Sequence, residues 1–192
     1  MNIVIFGPPG AGKGTQSNFI VKKFKLHQLS TGELLRKEIK DNTDLGKKIS
    51  SIINLGNLVS DDVVGNLIEK YISNNNYKNR LIFDGYPRNL IQAKYLEEIL
   101  KKYDQKIDLA LSLSVRLETI KKRIEERKKL EQRADDSESI AIKRYKKYET
   151  NIKPVIDFYK QSDLLKEVNG ELSITEINDE ISGFIDCIKG WL

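Results

Sequence analysis

The chain has 192 residues, with 33 Lys and Arg against 28 Asp and Glu for a formal net charge of +5, and 39% of its residues are hydrophobic. That balance describes one globular domain with a substantial core and excludes a disordered or low-complexity chain. The basic residues are scattered, so they suit a solvated surface and anionic small ligands rather than a nucleic-acid stripe, and the single cysteine, Cys187, excludes an internal disulfide or a cysteine zinc cluster.

Asn2-Ile3-Val4-Ile5-Phe6 is apolar and β-branched, the pattern of a buried parallel strand. It runs directly into Gly7-Pro8-Pro9-Gly10-Ala11-Gly12-Lys13-Gly14-Thr15, and Phe19, Ile20 and Phe24 then recur at helical spacing. A glycine loop between strand and helix has a physical use. Without Cβ atoms its backbone N–H groups can turn inward, and the helix behind it offers a positive end to an anion. Lys13 adds a mobile charge able to follow β- and γ-phosphate oxygens. The stretch fits G-x-x-x-x-G-K, with Gly14 where the general pattern has Ser or Thr and Thr15 one place later. The alternative is a glycine-rich βα turn beside a surface lysine.

Leu26–Leu29 reads as a second strand, ending at Ser30-Thr31-Gly32-Glu33 with capping-box spacing; the helix it opens carries Leu34, Leu35 and Ile39, with Thr31 at the mouth of the site and Arg36 further along. His27, the lone histidine, reads as structural. Residues 44–54 suggest another helix. Leu55-Gly56-Asn57-Leu58-Val59 is a turn into an extended segment whose backbone can face a ligand, and Ser60 is placed to cap the next helix, with Asp61 and Asp62 in its first turn. Leu81-Ile82-Phe83 is a third strand ending at Asp84-Gly85-Tyr86-Pro87-Arg88. In a doubly wound sheet that turn faces the same crevice as the glycine loop. Asp84 there can hold magnesium waters and Arg88 can fork onto a phosphate.

A helix with Leu90, Ala93, Leu96 and Leu100 inward follows, then a fourth strand over Ile107–Leu113. From Leu117 the pattern is helical; by charge alone Arg123 and Arg127 belong to a solvated, mixed-charge face. Arg133-Ala134-Asp135-Asp136 breaks that pattern. Ser137 opens a helix with Arg144, Tyr145 and Tyr148, which Pro154 is expected to kink or interrupt. Leu164–Val168 is a fifth strand. Ser173 and Glu176 form a second capping box, opening a helix with Ile174, Ile177, Ile181 and Ile188 inward, and Trp191 is expected to pack or fray at the end. The chain enters its first strand at once and has no apolar run of transmembrane length, so the expectation is a cytoplasmic protein, monomeric, with neither membrane nor nucleic-acid partner.

Several of these motifs, in this order, resemble the nucleoside monophosphate kinases and among them the adenylate kinase family. The resemblance spans nearly the whole chain. It rests on Gly7–Thr15, Leu29–Arg36, Gly56–Asp62, Asp84–Arg88 with Gln92, and Arg133–Asp136 with Arg144. It implies an α/β fold, a P-loop NTPase-like five-stranded parallel sheet flanked by helices, with a mobile AMP-binding segment over 30–59 and a short lid over 126–136. The implied activity is reversible, magnesium-dependent transfer from ATP to AMP, giving two ADP. Gly10, Ala11, Gly12, Lys13, Gly14 and Thr15 would wrap the ATP phosphates, with Arg123, Arg127 and the backbone at Leu172 completing that side. Thr31, Gly32, Arg36, Asn57, Leu58, Val59, Gly85, Tyr86, Pro87, Arg88 and Gln92 would form the AMP site. Lys13, Asp84, Arg88, Arg123, Arg133 and Arg144 would carry the chemistry, Arg133 and Arg144 also touching the AMP phosphate, with magnesium reached from Asp84 through water. The resemblance reverses the reading of Arg123 and Arg127 from charge alone. No structural zinc is implied, since the short lid lacks the cysteine ligands of longer ones. Glu33 stands where Asp is commoner, Tyr86 where Phe is commoner, and the lid lacks the usual hinge glycines.

Two rivals remain from sequence. A UMP or CMP kinase usually carries Ala where Thr31 stands and Asn where Gln92 stands. A nucleotide-binding switch would need the loop but not the set Arg36, Arg88, Arg133 and Arg144.

Overall fold

Alternation along the first strand sets the layers of the molecule. In β1 (Ile3–Phe6), Val4 and Phe6 point to one side of the sheet and Ile3 and Ile5 to the other, and all four are buried. The computed structural model describes residues 1–131 and 137–190. Its remaining strands are β2 (His27–Ser30), β3 (Leu81–Asp84), β4 (Leu109–Ser114) and β5 (Leu165–Asn169). All pair in parallel, in the order β2-β3-β1-β4-β5. The helices are α1 (Lys13–Phe24), α2 (Thr31–Lys40), α3 (Asp44–Asn54), α4 (Asp61–Ile72), α5 (Leu90–Lys102), α6 (Leu117–Glu131), α7 (Glu138–Gln161) and α8 (Ile174–Lys189), with one 3₁₀ turn at Asn75–Tyr77. The α/β architecture expected from the sequence is therefore present.

On the Val4 and Phe6 side, Ile68 of α4, Leu96 and Leu100 of α5, and Val155 and Tyr159 of α7 close one core. On the Ile3 and Ile5 side, Ile20 of α1 and Ile177, Ile181 and Ile185 of α8 close the other. Each such side chain contributes about 1.5–3 kcal/mol by leaving water. Because β1 lies centrally, its carboxyl end and that of β3 open on one crevice, the usual place for a ligand in a sheet of this kind.

Several local expectations need correction. Pro154 does not interrupt α7, which runs unbroken from Glu138 to Gln161. Pro154 and the Thr150 carbonyl that loses its donor both lie on the exposed face, while Ile152, Val155 and Tyr159 are buried on either side. A proline inside a helix costs about 3 kcal/mol, and three buried side chains outweigh it. Ser60 sits at the N-cap of α4 without a side-chain capping bond. Ile174 faces outward, 61% exposed. The fourth strand begins at Leu109, since the Asp108 N–H donates to the Asn2 carbonyl outside the ladder, although Ile107 is buried before it. The Ser173–Glu176 capping box forms with both reciprocal bonds. His27 packs edge-on against Tyr77, a structural contact as expected. Arg133 to Asp136 and Trp191 lie outside the described residues. Among the described residues, no helix is long and apolar enough to cross a membrane.

Candidate functional site

The site begins with backbone. Gly10 and Gly12 adopt φ of 82° and 93°, which L side chains rarely reach, so the loop turns there only because both are glycine. Gly12 is the N-cap of α1 and makes no side-chain capping bond, and the first turn holds no acidic residue. The leading N–H groups and the positive helix end are thus left to an anion. A Cβ on Gly10 would come within 3.1 Å of Ile124, so the same residue lets α6 lie against the loop. Lys13 folds over it, its Nζ donating to the Gly7 carbonyl at 2.7 Å and the Pro8 carbonyl at 3.0 Å. Burial lowers the Lys13 ammonium from 10.5 to about 8. Asp84 opposes that shift, whereas Arg88, Arg144 and Arg127 add to it. All four groups are thus near enough to act on the charge of the lysine.

The second part lies where β3 ends. Asp84 pairs in register with Ile5 of β1 and Ser30 of β2, which sets its carboxylate beside the loop, 3.9 Å from where a Cβ on Gly14 would lie. Gln28 Nε2 donates to Asp84 Oδ2 at 2.9 Å. Gly85 turns with φ of 76°, and its carbonyl accepts from Thr31 Oγ1 at 3.0 Å and from Arg88 Nε at 2.7 Å. The guanidinium of Arg88 and the start of α2 are thereby tied to one atom. A cis peptide bond precedes Pro87. Gln92, on the first turn of α5, is 3% exposed. Its Oε1 accepts from the Arg88 N–H at 2.7 Å, and its Nε2 donates to Asp61 Oδ1 at 2.6 Å.

The third part comes from α6 and α7. Arg123 donates to the Gly170 carbonyl at 3.0 Å and to the Ala11 carbonyl at 3.4 Å, binding α6 to the glycine loop. Beyond Gly170, the Arg116 N–H and the Thr119 hydroxyl hold the Glu171 carboxyl down to about 2, which anchors the turn leading to Leu172. On α7, Lys143 donates to the Leu55 carbonyl and Lys147 to Asn57 Oδ1, at 2.9 and 2.8 Å. Gly56 packs so closely on α7 that a Cβ would meet Ile140 at 2.8 Å. The extended segment at Asn57–Val59 is thus pinned by its neighbours rather than by its own sequence.

These three parts line one cleft of about 900 Å³, within the range of small-ligand sites. It holds Gly10 to Thr15, Asp84, Arg123, Arg127 and Leu172 toward one end, and Thr31, Gly32, Arg36, Asn57, Leu58, Val59, Gly85, Tyr86, Pro87, Arg88, Gln92 and Arg144 elsewhere along its wall. Every site residue expected from the sequence and lying among the described residues is there; Arg133 lies outside them. Sequence reasoning missed Gln28, Asp61 and Lys147, which act on residues it did find. Lys147 follows Arg144 by three residues, one helical turn, and that spacing was a usable signal. Leu172 and Ile174 expose apolar surface at the cleft, 38% and 61% exposed.

A glycine loop between a central parallel strand and an uncapped helix, ringed by guanidinium groups, defines a P-loop nucleotide-binding protein of the α/β class. The family model for adenylate kinase matches residues 5–164, and the chain belongs to the adenylate kinase family. It is 40% identical to the adenylate kinase of Pelagibacter ubique, with 95% of this chain and 98% of that protein aligned. The adenylate kinase of Bartonella quintana is 37% identical, over 96% and 99% of the two chains. That of Archaeoglobus fulgidus is 34% identical, over 98% and 100%. The chain is a nucleotide kinase, an enzyme of phosphoryl transfer between adenine nucleotides.

Proposed function

We propose that the chain transfers the terminal phosphoryl group of ATP to AMP, reversibly and with magnesium, yielding two ADP. The observation that carries this is the single cleft. It has a backbone-built anion site at one end and the Thr31–Gly85–Arg88–Gln92 cluster further along, with Lys13, Asp84, Arg88, Arg127 and Arg144 lining the same space and acting on one another's charge. The Gly10–Thr15 loop takes the β- and γ-phosphates, and Lys13 leaves the Gly7 and Pro8 carbonyls to follow the moving group. Arg88 and Arg144, with Arg36, hold the acceptor phosphate, while Arg123 and Arg127 serve the donor side and Leu172 and Ile174 offer an apolar edge to its base. Arg133 belongs with this set by resemblance alone.

Catalysis is then positioning and charge neutralisation, with no covalent intermediate on the protein. Magnesium would ride on the nucleotide phosphates and neutralise charge between them. One buried carboxylate, Asp84, lies beside the loop, which fits a single contact through water rather than a cage of protein ligands. Water competes with AMP as acceptor, so the segments 30–59 and 126–136 are assigned the task of closing over the cleft. The working form is taken as a cytoplasmic monomer acting on free nucleotides.

A coupled assay of ATP with AMP, CMP, UMP and GMP in turn tests the reading. AMP should exceed CMP and UMP by at least ten- to a hundredfold in kcat/KM, the range expected when a mismatched base leaves a buried amide unpaired. Comparable rates with CMP or UMP would overturn it.

A further inference from the structure

Asp61 opens α4 and does not line the cleft, yet it is bonded to Gln92, which does, and to Asn89, which caps the helix that carries Gln92. Its Oδ1 accepts from Gln92 Nε2 at 2.6 Å, and its two oxygens accept from Asn89 Nδ2 at 3.1 and 3.4 Å. Asn89 in turn caps α5, its Oδ1 accepting from the Gln92 N–H at 2.8 Å. The other half of the Gln92 amide is also held, Oε1 accepting from the Arg88 N–H at 2.7 Å.

A free glutamine amide can rotate by half a turn and exchange its donor with its acceptor. Here that rotation is blocked from both sides. A carboxylate only accepts and a backbone N–H only donates, so one orientation satisfies both neighbours and the reverse satisfies neither. Reversal would set Oε1 against an anionic oxygen and Nε2 against another N–H. With Gln92 buried at 3% exposure, water cannot make good those losses. After both bonds are made, the amide retains one Nε2 hydrogen and one Oε1 lone pair, in a fixed order.

We propose that Asp61 is a positioning residue that sets base specificity by locking the Gln92 amide, so that the cleft reads a 6-amino purine and rejects a 6-oxo purine. The inference rests on the reading of AMP as acceptor. Adenine presents an N6 donor beside an N1 acceptor. Hypoxanthine presents an O6 acceptor beside an N1 donor, the reverse order on a base of nearly the same shape. Gln92 locked one way matches only one of these. Asp61 touches neither base nor phosphate and acts through Gln92.

The test compares kcat/KM for AMP and for inosine 5′-monophosphate, with ATP as donor. Asp61→Asn keeps the shape but supplies an amide that can present either oxygen or nitrogen, so one of the two blocks on reversal is removed and only the Arg88 N–H still opposes it. The AMP-to-IMP ratio should fall by about tenfold, partly because IMP efficiency rises in absolute terms, while the KM for ATP stays unchanged. Asp61→Glu, which keeps an anionic acceptor, should restore most of the ratio. In a Gln92→Ala background, Asp61→Asn should leave the ratio as it is, because the lock then has nothing to hold. Loss of AMP and IMP efficiency in equal proportion, or the same ratio change with Gln92 removed, would overturn the lock and show Asp61 as a strut for the α4–α5 contact. Wild-type enzyme that fails to prefer AMP over CMP and UMP would instead sink the acceptor reading beneath it.

Discussion

The two ends of the cleft are made of different materials. Around Gly10–Thr15 the binding surface is backbone, shaped by positive φ at glycines and by an uncapped helix end, and it comes from one contiguous stretch. At the other end it is side chains: Thr31 from α2, Arg88 from the turn after β3, Gln92 from α5 and Asp61 from α4 behind it, joined by hydrogen bonds across up to 54 residues of chain. A backbone site recognises what every nucleoside triphosphate shares. A side-chain network can recognise a particular base, but each of its members can be lost separately.

That difference predicts how the two ends fail. The largest effect should come from Lys13→Met, the charged side chain that the donor loop itself carries. Removing a contact of this kind commonly costs about 3–4 kcal/mol of barrier, so turnover should fall a hundredfold or more. Circular dichroism should show the fold intact, since among the described residues Lys13 bonds only to loop carbonyls. Near-normal turnover would remove the loop from the mechanism.

Gln92→Ala should act more mildly and on the other substrate. We expect the KM for AMP to rise about ten- to a hundredfold while that for ATP stays put. An effect confined to ATP would erase the division between the ends.

The smallest effect is a matter of protons. Burial lowers Lys13 to about 8, against 10.5 for a free lysine. A bound polyphosphate stabilises the ammonium and raises it again, so binding of ATP near pH 8.5 should take up part of a proton, and affinity should weaken as pH climbs further. The sign for the unliganded protein is opposite. Between about pH 8 and 10.5 the unfolded chain holds the Lys13 proton and the folded chain does not, so this group's contribution to stability rises with pH. Calorimetry in buffers of different ionisation enthalpy reads the uptake directly; buffer-independent heats would show that Lys13 stays charged throughout.

The same contrast governs how much could be read in advance. The donor end was legible as a string, because a strand, a glycine loop and a helix are neighbours in sequence and each has its own local pattern. The sheet was nearly as legible: β1, β3 and most of β4 are short apolar runs, the more polar edge strands β2 and β5 show only one or two apolar residues, and the ends shifted by a residue or two. The acceptor residues Thr31, Arg88 and Gln92 were found because they stand in motifs. Their supports were not. Gln28 looks like an ordinary strand polar, and Asp61, although it lies within the Gly56–Asp62 motif, like an ordinary first-turn aspartate; only the fold brings them to Asp84 and Gln92. Tertiary packing also overrode local signals at Pro154 and Ile174: buried neighbours carry α7 through its proline, and Ile174, at the start of α8, faces the cleft rather than the core.

The central claim, that one cleft holds donor and acceptor nucleotides together, is tested most directly by titration with two adenosines joined through five phosphates. The predicted result is a single site per chain, mutual exclusion with both ATP and AMP, and a melting temperature that rises steeply with ligand, as mass action requires for binding to the native state alone. Binding that ATP displaces but AMP leaves untouched would contradict it.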